Sequence, residues 1–350
     1  MADFGGWEMP IEYPATAGGG VINEHTAVRE RVGLFDVSHL GKAIVQGKGA
    51  RAFIDSAVTN DLSKINPGQA QYTMLCDEKS GGVIDDLIVY LRSDEEILLV
   101  PNAANNAEVV SRLQGRAPSG VTITNAHNDY AVLAVQGPLS SEVLESLGLP
   151  TSLDYMSFVE AEYHGKNIVI CRTGYTGERG FEILPPWDYA DVLWRELVEK
   201  VEARGGLVAG LGARDTLRTE MCYPLHGHEL SMTISPLEAN ASWAVGWNKE
   251  SFWGDSILRR QKSEGVTRVL RPLIFTDRGI PRADMKVRNE SGAEIGIVTS
   301  GTFSPTLKQG VALALIDPAV KVGEVVDVDV RGRLIKASVA KAPLVPSHVR

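Results

Sequence analysis

A chain of 350 residues exceeds the length at which one hydrophobic core usually stops growing, so two or three domains are expected. With 44% apolar and 23% charged residues it has the balance of a folded protein, not a disordered one. The net charge of −9, with no long Lys/Arg block, argues against a nucleic-acid or anionic-membrane surface.

Cys76, Cys171 and Cys222 lie far apart, which suggests neither a disulfide framework nor a thiolate metal site and fits a reducing cytoplasm. The start, MADFGGWEMP, has no basic or apolar leader region, and nowhere do 18 uncharged apolar residues run together. The chain reads as soluble, and with no apolar surface stripe, as a monomer.

In chain order, Val21, His25, Val28 and Val32 share one helical face, with Gly33 as a stop. Residues 42–46 read as a strand, 47–49 as a turn and 50–58 as a helix. VLAVQGPLSSEVLESL repeats that grammar, with Pro138 at a helix start, as a weak internal duplication. VIDDLIVYLR and EEILLVP read as a β-hairpin turning at Ser93 and Asp94, and residues 167–173 and 181–184 as a second pair around GYTGERG.

WDYADVLWRELVEKVEARGG predicts a helix with Trp187, Ala190, Trp194, Leu197 and Val201 on its apolar face. LGARDTLRTEMCY predicts another, ending before Pro224. The stretch 251–268 reads as a polar connection. From 269 to 350, short apolar runs, PLVP included, broken by Gly, Pro and Asn predict a β-barrel or sandwich after an α+β body spanning 1–250.

GGVIDDLIVY places two adjacent carboxylates in an apolar strand. Strand neighbours point to opposite faces, so Asp85 and Asp86 are not expected to share a proton or a substrate, which counts against glycosidase chemistry. Each needs a cation or donors if buried. Asp85 is expected to take backbone donors near the Gly81-Gly82 turn; Asp86, with Tyr90 on its face, is either similar or ligand-facing.

GYTGERGFEI is not GxGxxG and leads into a strand, which disfavours a dinucleotide. It is either a plain glycine-bearing hairpin or a loop whose glycines let backbone approach a flat ligand, with Tyr175 stacking and Glu182 accepting two parallel N–H bonds. Arg214 and Arg218, with Asp215 and Glu220 close by, read alone as surface ion pairing. His226-Gly227-His228-Glu229 lacks the HExxH spacing and a third ligand, so no metal is expected.

Taken together, FGGWEMP, HTAVRERVGLFDVSHLG, GGVIDDLIVY, VQGP, RTGYTGERGFEI, GARDTLR and GIVTSGTFSPTL resemble the aminomethyltransferase (T-protein) family of the glycine cleavage system, in family order over nearly the whole chain. The resemblance implies an α+β three-domain cloverleaf, with two intertwined folate-binding subdomains and a C-terminal β-barrel or jelly roll. It implies transfer of the methylene carbon from the aminomethyl-lipoyl arm of H-protein to tetrahydrofolate, giving 5,10-methylenetetrahydrofolate, ammonia and the dihydrolipoyl arm.

Matched position by position, Asp86 becomes the catalytic acid, orienting folate nitrogens and stabilising a developing iminium. That attraction is on the order of 4 kcal/mol at about 4 Å and an effective dielectric near 20, before desolvation. The resemblance gives Glu182 and Arg214 to the pterin edges, and Leu40, Tyr90, Asn102, Tyr175 and Trp243 to the pocket wall. The C-terminus, PLVPSHVR, departs from relatives that carry a tyrosine after the VP pair, and His226 replaces a more usual aromatic.

Two rivals remain. A folate-dependent demethylase often carries a flavin domain, whose fingerprint is missing here. A non-enzymatic folate-binding factor of iron-sulfur assembly would carry a cysteine in the loop that here reads RTGYTGERG.

Overall fold

The computed structural model describes residues 1–350. The chain forms two compact units: Met1–Met74, Asp85–Arg214 and His348–Arg350 make the first, and Leu75–Ile84 with Asp215–Ser347 the second.

Two sheets interleave in sequence. One runs Phe158–Tyr163, Lys166–Cys171, Gly180–Leu184, Leu133–Gln136, Gly33–Asp36, Leu207–Val208; the other runs Gln69–Cys76, Val83–Ser93, Glu96–Val100, Ala43–Gln46, Thr122–Asn125. The chain enters the six-stranded sheet at Gly33, crosses to the five-stranded one at Ala43, and returns at Leu133. The alternation between the two sheets is thus present in the chain order.

So is the repeated grammar. Ala43–Gln46 and Leu133–Gln136 each end in a positive-φ glycine, Gly47 at 119° and Gly137 at 130°, before the helices Ala50–Ala57 and Ser140–Glu145.

The helix Ala190–Glu202 buries Leu193, Leu197 and Val201 in a cluster with Leu34, Val135, Ile170, Phe181 and Ile183. Each fully buried side chain of this size contributes about 1.5–3 kcal/mol. Trp187, expected on that face, instead lies in a preceding 3-10 turn with 44% of its surface exposed. The tryptophan was drawn in by periodicity that continues past the helix start.

In the second unit, six antiparallel strands close into a barrel, ordered Val269–Phe275, Gln309–Ile316, Glu294–Ser304, Lys286–Arg288, Val325–Val330, Arg333–Val339. Closure comes from pairing of the first strand with the last, Leu273 opposite Val339, which removes the open edge. Val287, Val298, Val326, Val328, Ile335 and Ala337 fill the interior. PLVP is not a strand, and the expected polar connection contains a helix, Asp255–Glu264, whose only large apolar residues are Ile257 and Leu258. No helix is long and apolar enough to cross a membrane.

Candidate functional site

The hairpin of Val83–Ser93 and Glu96–Val100 pairs Ile88 with Val100 and Tyr90 with Leu98. Continuing that register by two pairs puts Asn102 opposite Asp86. Asn102 Nδ2 donates to Asp86 Oδ1, to the Asp86 carbonyl and to Asp85 Oδ1, each at 2.9 Å. An amide nitrogen has two protons, so one of them is shared.

Asp85, fully buried, also accepts from the Asn102 backbone N–H at 2.9 Å and from Asn105 Nδ2 at 2.7 Å. Its donors come from the corner after the hairpin, not from the Gly81-Gly82 turn. The two carboxylates leave opposite faces of the strand, and one amide nonetheless reaches both. Burial, then the neighbouring Asp86 charge, raises the Asp85 carboxyl well above its ordinary range, while the three donors pull it back.

The other oxygen of Asp86, Oδ2, accepts from Tyr72 Oη at 3.1 Å. Burial and the Asp86 charge hold the Tyr72 hydroxyl protonated, well above its ordinary pKa. Both oxygens of Asp86 are therefore oriented, on a side chain that stays half-buried.

Glu182 projects from Gly180–Leu184. Thr173 Oγ1 donates to Glu182 Oε2 at 2.5 Å, and because that hydroxyl has one proton, Tyr90 Oη donates to Thr173 across 3.1 Å. Burial pushes the Glu182 carboxyl up, opposed by the Thr173 bond and the Arg214 charge. The Arg214 guanidinium lies 4.6 Å from the centre of the Tyr175 ring, a cation–π contact, and its field reaches Glu182. Leu40 precedes Gly41, whose N–H donates to the Pro101 carbonyl beside Asn102.

The first unit thus holds Leu40, Asp86, Tyr90, Asn102, Tyr175, Glu182 and Arg214. Trp243 belongs to the second unit, on the turn Ser242–Ala244, with 69% of its surface exposed. Tyr72 and Thr173 were not anticipated, since nothing local in QYTML or RTGY marks a hydroxyl that meets a carboxylate distant in sequence.

Two further readings are corrected. Gly174 and Gly180 do not leave room for a ligand: a Cβ on either would collide with the buried Gln136 side chain. Gln136 donates to the Thr173 and Phe181 carbonyls and accepts from Thr176 Oγ1. Arg218 makes no surface ion pair: it is 2% exposed and meets Asp215, the buried Glu229 and Ser300. His226 Nε2 and His228 Nδ1 each donate to a backbone carbonyl, of Val83 and Thr299, and no group of three acidic, His or Cys side chains is placed to hold a metal.

Comparison with known proteins identifies the family. The family model of the GCVT N-terminal domain matches residues 1–249, and that of the glycine cleavage T-protein C-terminal barrel domain matches residues 268–346. The chain is 57% identical over 349 residues to the aminomethyltransferase of Parafrankia sp. (strain EAN1pec), covering 100% of this chain and 94% of the relative. Against the aminomethyltransferase of Mycobacterium tuberculosis (strain ATCC 25618 / H37Rv) it is 56% identical over 352 residues, with the same coverage. The crystal structure of the glycine cleavage system aminomethyltransferase T from Bartonella henselae superposes with a TM-score of 0.91 at 34% identity, covering 99% of this chain and 94% of that one. The chain belongs to the aminomethyltransferase family, the T-proteins of the glycine cleavage system.

Proposed function

We propose that this aminomethyltransferase takes its one-carbon unit from the aminomethyl-lipoyl arm of H-protein and delivers it to tetrahydrofolate. The carrying observation is the Asp86 carboxylate, half-buried and gripped on one oxygen by Tyr72 and on the other by Asn102. A charge fixed in this way needs little reorganisation when positive charge develops beside it.

In the proposed reaction the methylene carbon leaves ammonia, which departs with the C–N electron pair, and forms a bond to N5 of the folate, which loses its proton. The C–S bond then breaks with its electrons going to the lipoyl sulfur, leaving a cationic N5 iminium. N10 closes on that carbon and gives up its proton, completing 5,10-methylenetetrahydrofolate. Asp86 stabilises the iminium and orients the folate nitrogens.

Glu182, ionised, accepts the paired N–H groups of the pterin edge, while Arg214, steadied on Tyr175, serves the other polar side. Leu40, Tyr90 and Asn102 line the pocket. The chain acts as a cytoplasmic monomer without nucleic acid or membrane, which size-exclusion chromatography and fractionation test.

A coupled assay with aminomethylated H-protein and tetrahydrofolate tests the reaction. Stoichiometric ammonia and methylenetetrahydrofolate are expected; ammonia release that does not depend on the folate would contradict the reading.

A further inference from the structure

A cavity of about 360 Å³ in the first unit is lined by Leu153, Asp154, Tyr155, Arg172, Arg179 and Arg350. That volume falls within the usual range for small-molecule sites, roughly 300–1,000 Å³. None of the Asp86, Glu182 and Arg214 side chains lines it. Among its side chains, three guanidinium groups stand against the carboxylate of Asp154.

Arg172 is the unusual member. It is 2% exposed, yet no carboxylate pairs with it: Nη1 donates to the Gly180 carbonyl at 3.1 Å, Nη2 to the Val349 carbonyl at 2.6 Å, and its buried Nε–H has no acceptor. Arg179 donates Nε–H to Ser141 Oγ at 2.7 Å, and it too lacks an ion pair. Both guanidinium groups lie near the Phe181 ring, at 5.4 and 5.9 Å from its centre.

Buried arginine is ordinarily matched by a carboxylate, because the desolvation cost is otherwise uncompensated. Here burial and the Arg179 charge both pull the Arg172 guanidinium down to about 10. Burial raises the Tyr155 hydroxyl, and the charges of Arg172, Glu182 and Arg350 all reach it.

We propose that this cavity binds a small organic anion, a carboxylate or a phosphate ester, whose oxyanion is held by Arg172 and Arg179 with Arg350 at the rim and Tyr155 and Leu153 against its body. Planar guanidinium forks suit both oxyanions, and the concave shape selects a small molecule.

Calorimetric titration of the full chain with inorganic phosphate, and separately with glutarate, both at ionic strength matched by sodium chloride, tests the site and separates recognition from screening. Saturable one-site binding of at least one probe is expected, weakened tenfold or more by Arg179→Gln and several-fold by Arg350→Gln. The melting midpoint without ligand should stay put, and tetrahydrofolate affinity, measured in parallel, should not change. The tighter probe identifies the source as phosphate or carboxylate. Absence of saturation by either probe, or binding equally strong in both variants, would overturn the proposal. Arg350 is exposed and forms no hydrogen bond or ion pair, so that variant stands as a test even where Arg179→Gln perturbs folding.

Discussion

The side-chain amide of Asn102 lies 2.9 Å from Asp86 Oδ1 while the same nitrogen lies 2.9 Å from Asp85 Oδ1. Two carboxylates on opposite faces of one strand are thereby coupled by a residue of the neighbouring strand's continuation. Replacing Asn102 with leucine removes the donor from both. A lost hydrogen bond to a charged group costs about 1.5–3 kcal/mol, so kcat should fall roughly 10–100-fold. Melting should also drop, since the buried Asp85 loses a donor. Steady-state kinetics and calorimetry on the same variant check both effects.

Thr173 relays a hydroxyl bond from Tyr90 to Glu182, and its bond lowers a carboxyl that burial raises. In Thr173→Val the Glu182 carboxyl should rise further. Because the pterin edge is accepted by the ionised form, tetrahydrofolate affinity should fall as pH drops through that raised pKa. The variant should show the same fall displaced to higher pH. A titration of Kd against pH in both proteins measures the displacement.

His39 is buried, and burial together with the Arg214, Lys42 and His127 charges lowers its imidazole from 6.5 to about 3. Its folded pKa lies below its unfolded value, so its contribution to stability is fully present above the unfolded pKa and is lost as pH falls toward the folded one. Between about pH 6.5 and about pH 5 this amounts to on the order of 2 kcal/mol. His39→Gln should lose less stability over that interval than the parent, as read by urea unfolding at the two pH values.

Arg218 neutralises Glu229 inside the second unit at 2.8 Å, with side chains 2% and 0% exposed. Arg218→Met leaves a buried carboxylate unpaired and should cost about 3–5 kcal/mol. Adding Glu229→Gln should recover much of that loss, a coupling that a double-mutant cycle on denaturant unfolding quantifies.

The parts legible in sequence were those written locally. Strand, turn and helix grammar around Gln46 and Gln136 survives in the structure, and the texture after residue 269 reported a β domain. Closure into a barrel was not legible, since the pairing of Leu273 with Val339 joins strands far apart in the chain.

Asp86, Glu182 and Arg214 came from matched motifs, whereas Tyr72 and Thr173 act through contacts that no spacing encodes. Strand alternation correctly separated the Asp85 and Asp86 side chains but could not foresee Asn102 spanning them. The two readings of GYTGERG stayed open for a similar reason: Gly174 and Gly180 abut Gln136, about forty residues earlier. The helix Asp255–Glu264 went unread because only two of its residues are large and apolar, too few to show a period.

Asp86→Asn keeps size and shape while removing the negative charge. Single-turnover release of ammonia and formation of methylenetetrahydrofolate from aminomethylated H-protein should slow by about 10²–10³, with the melting midpoint unchanged. Turnover within a few-fold of the parent, in a variant that folds and binds tetrahydrofolate normally, would contradict the role assigned to that carboxylate.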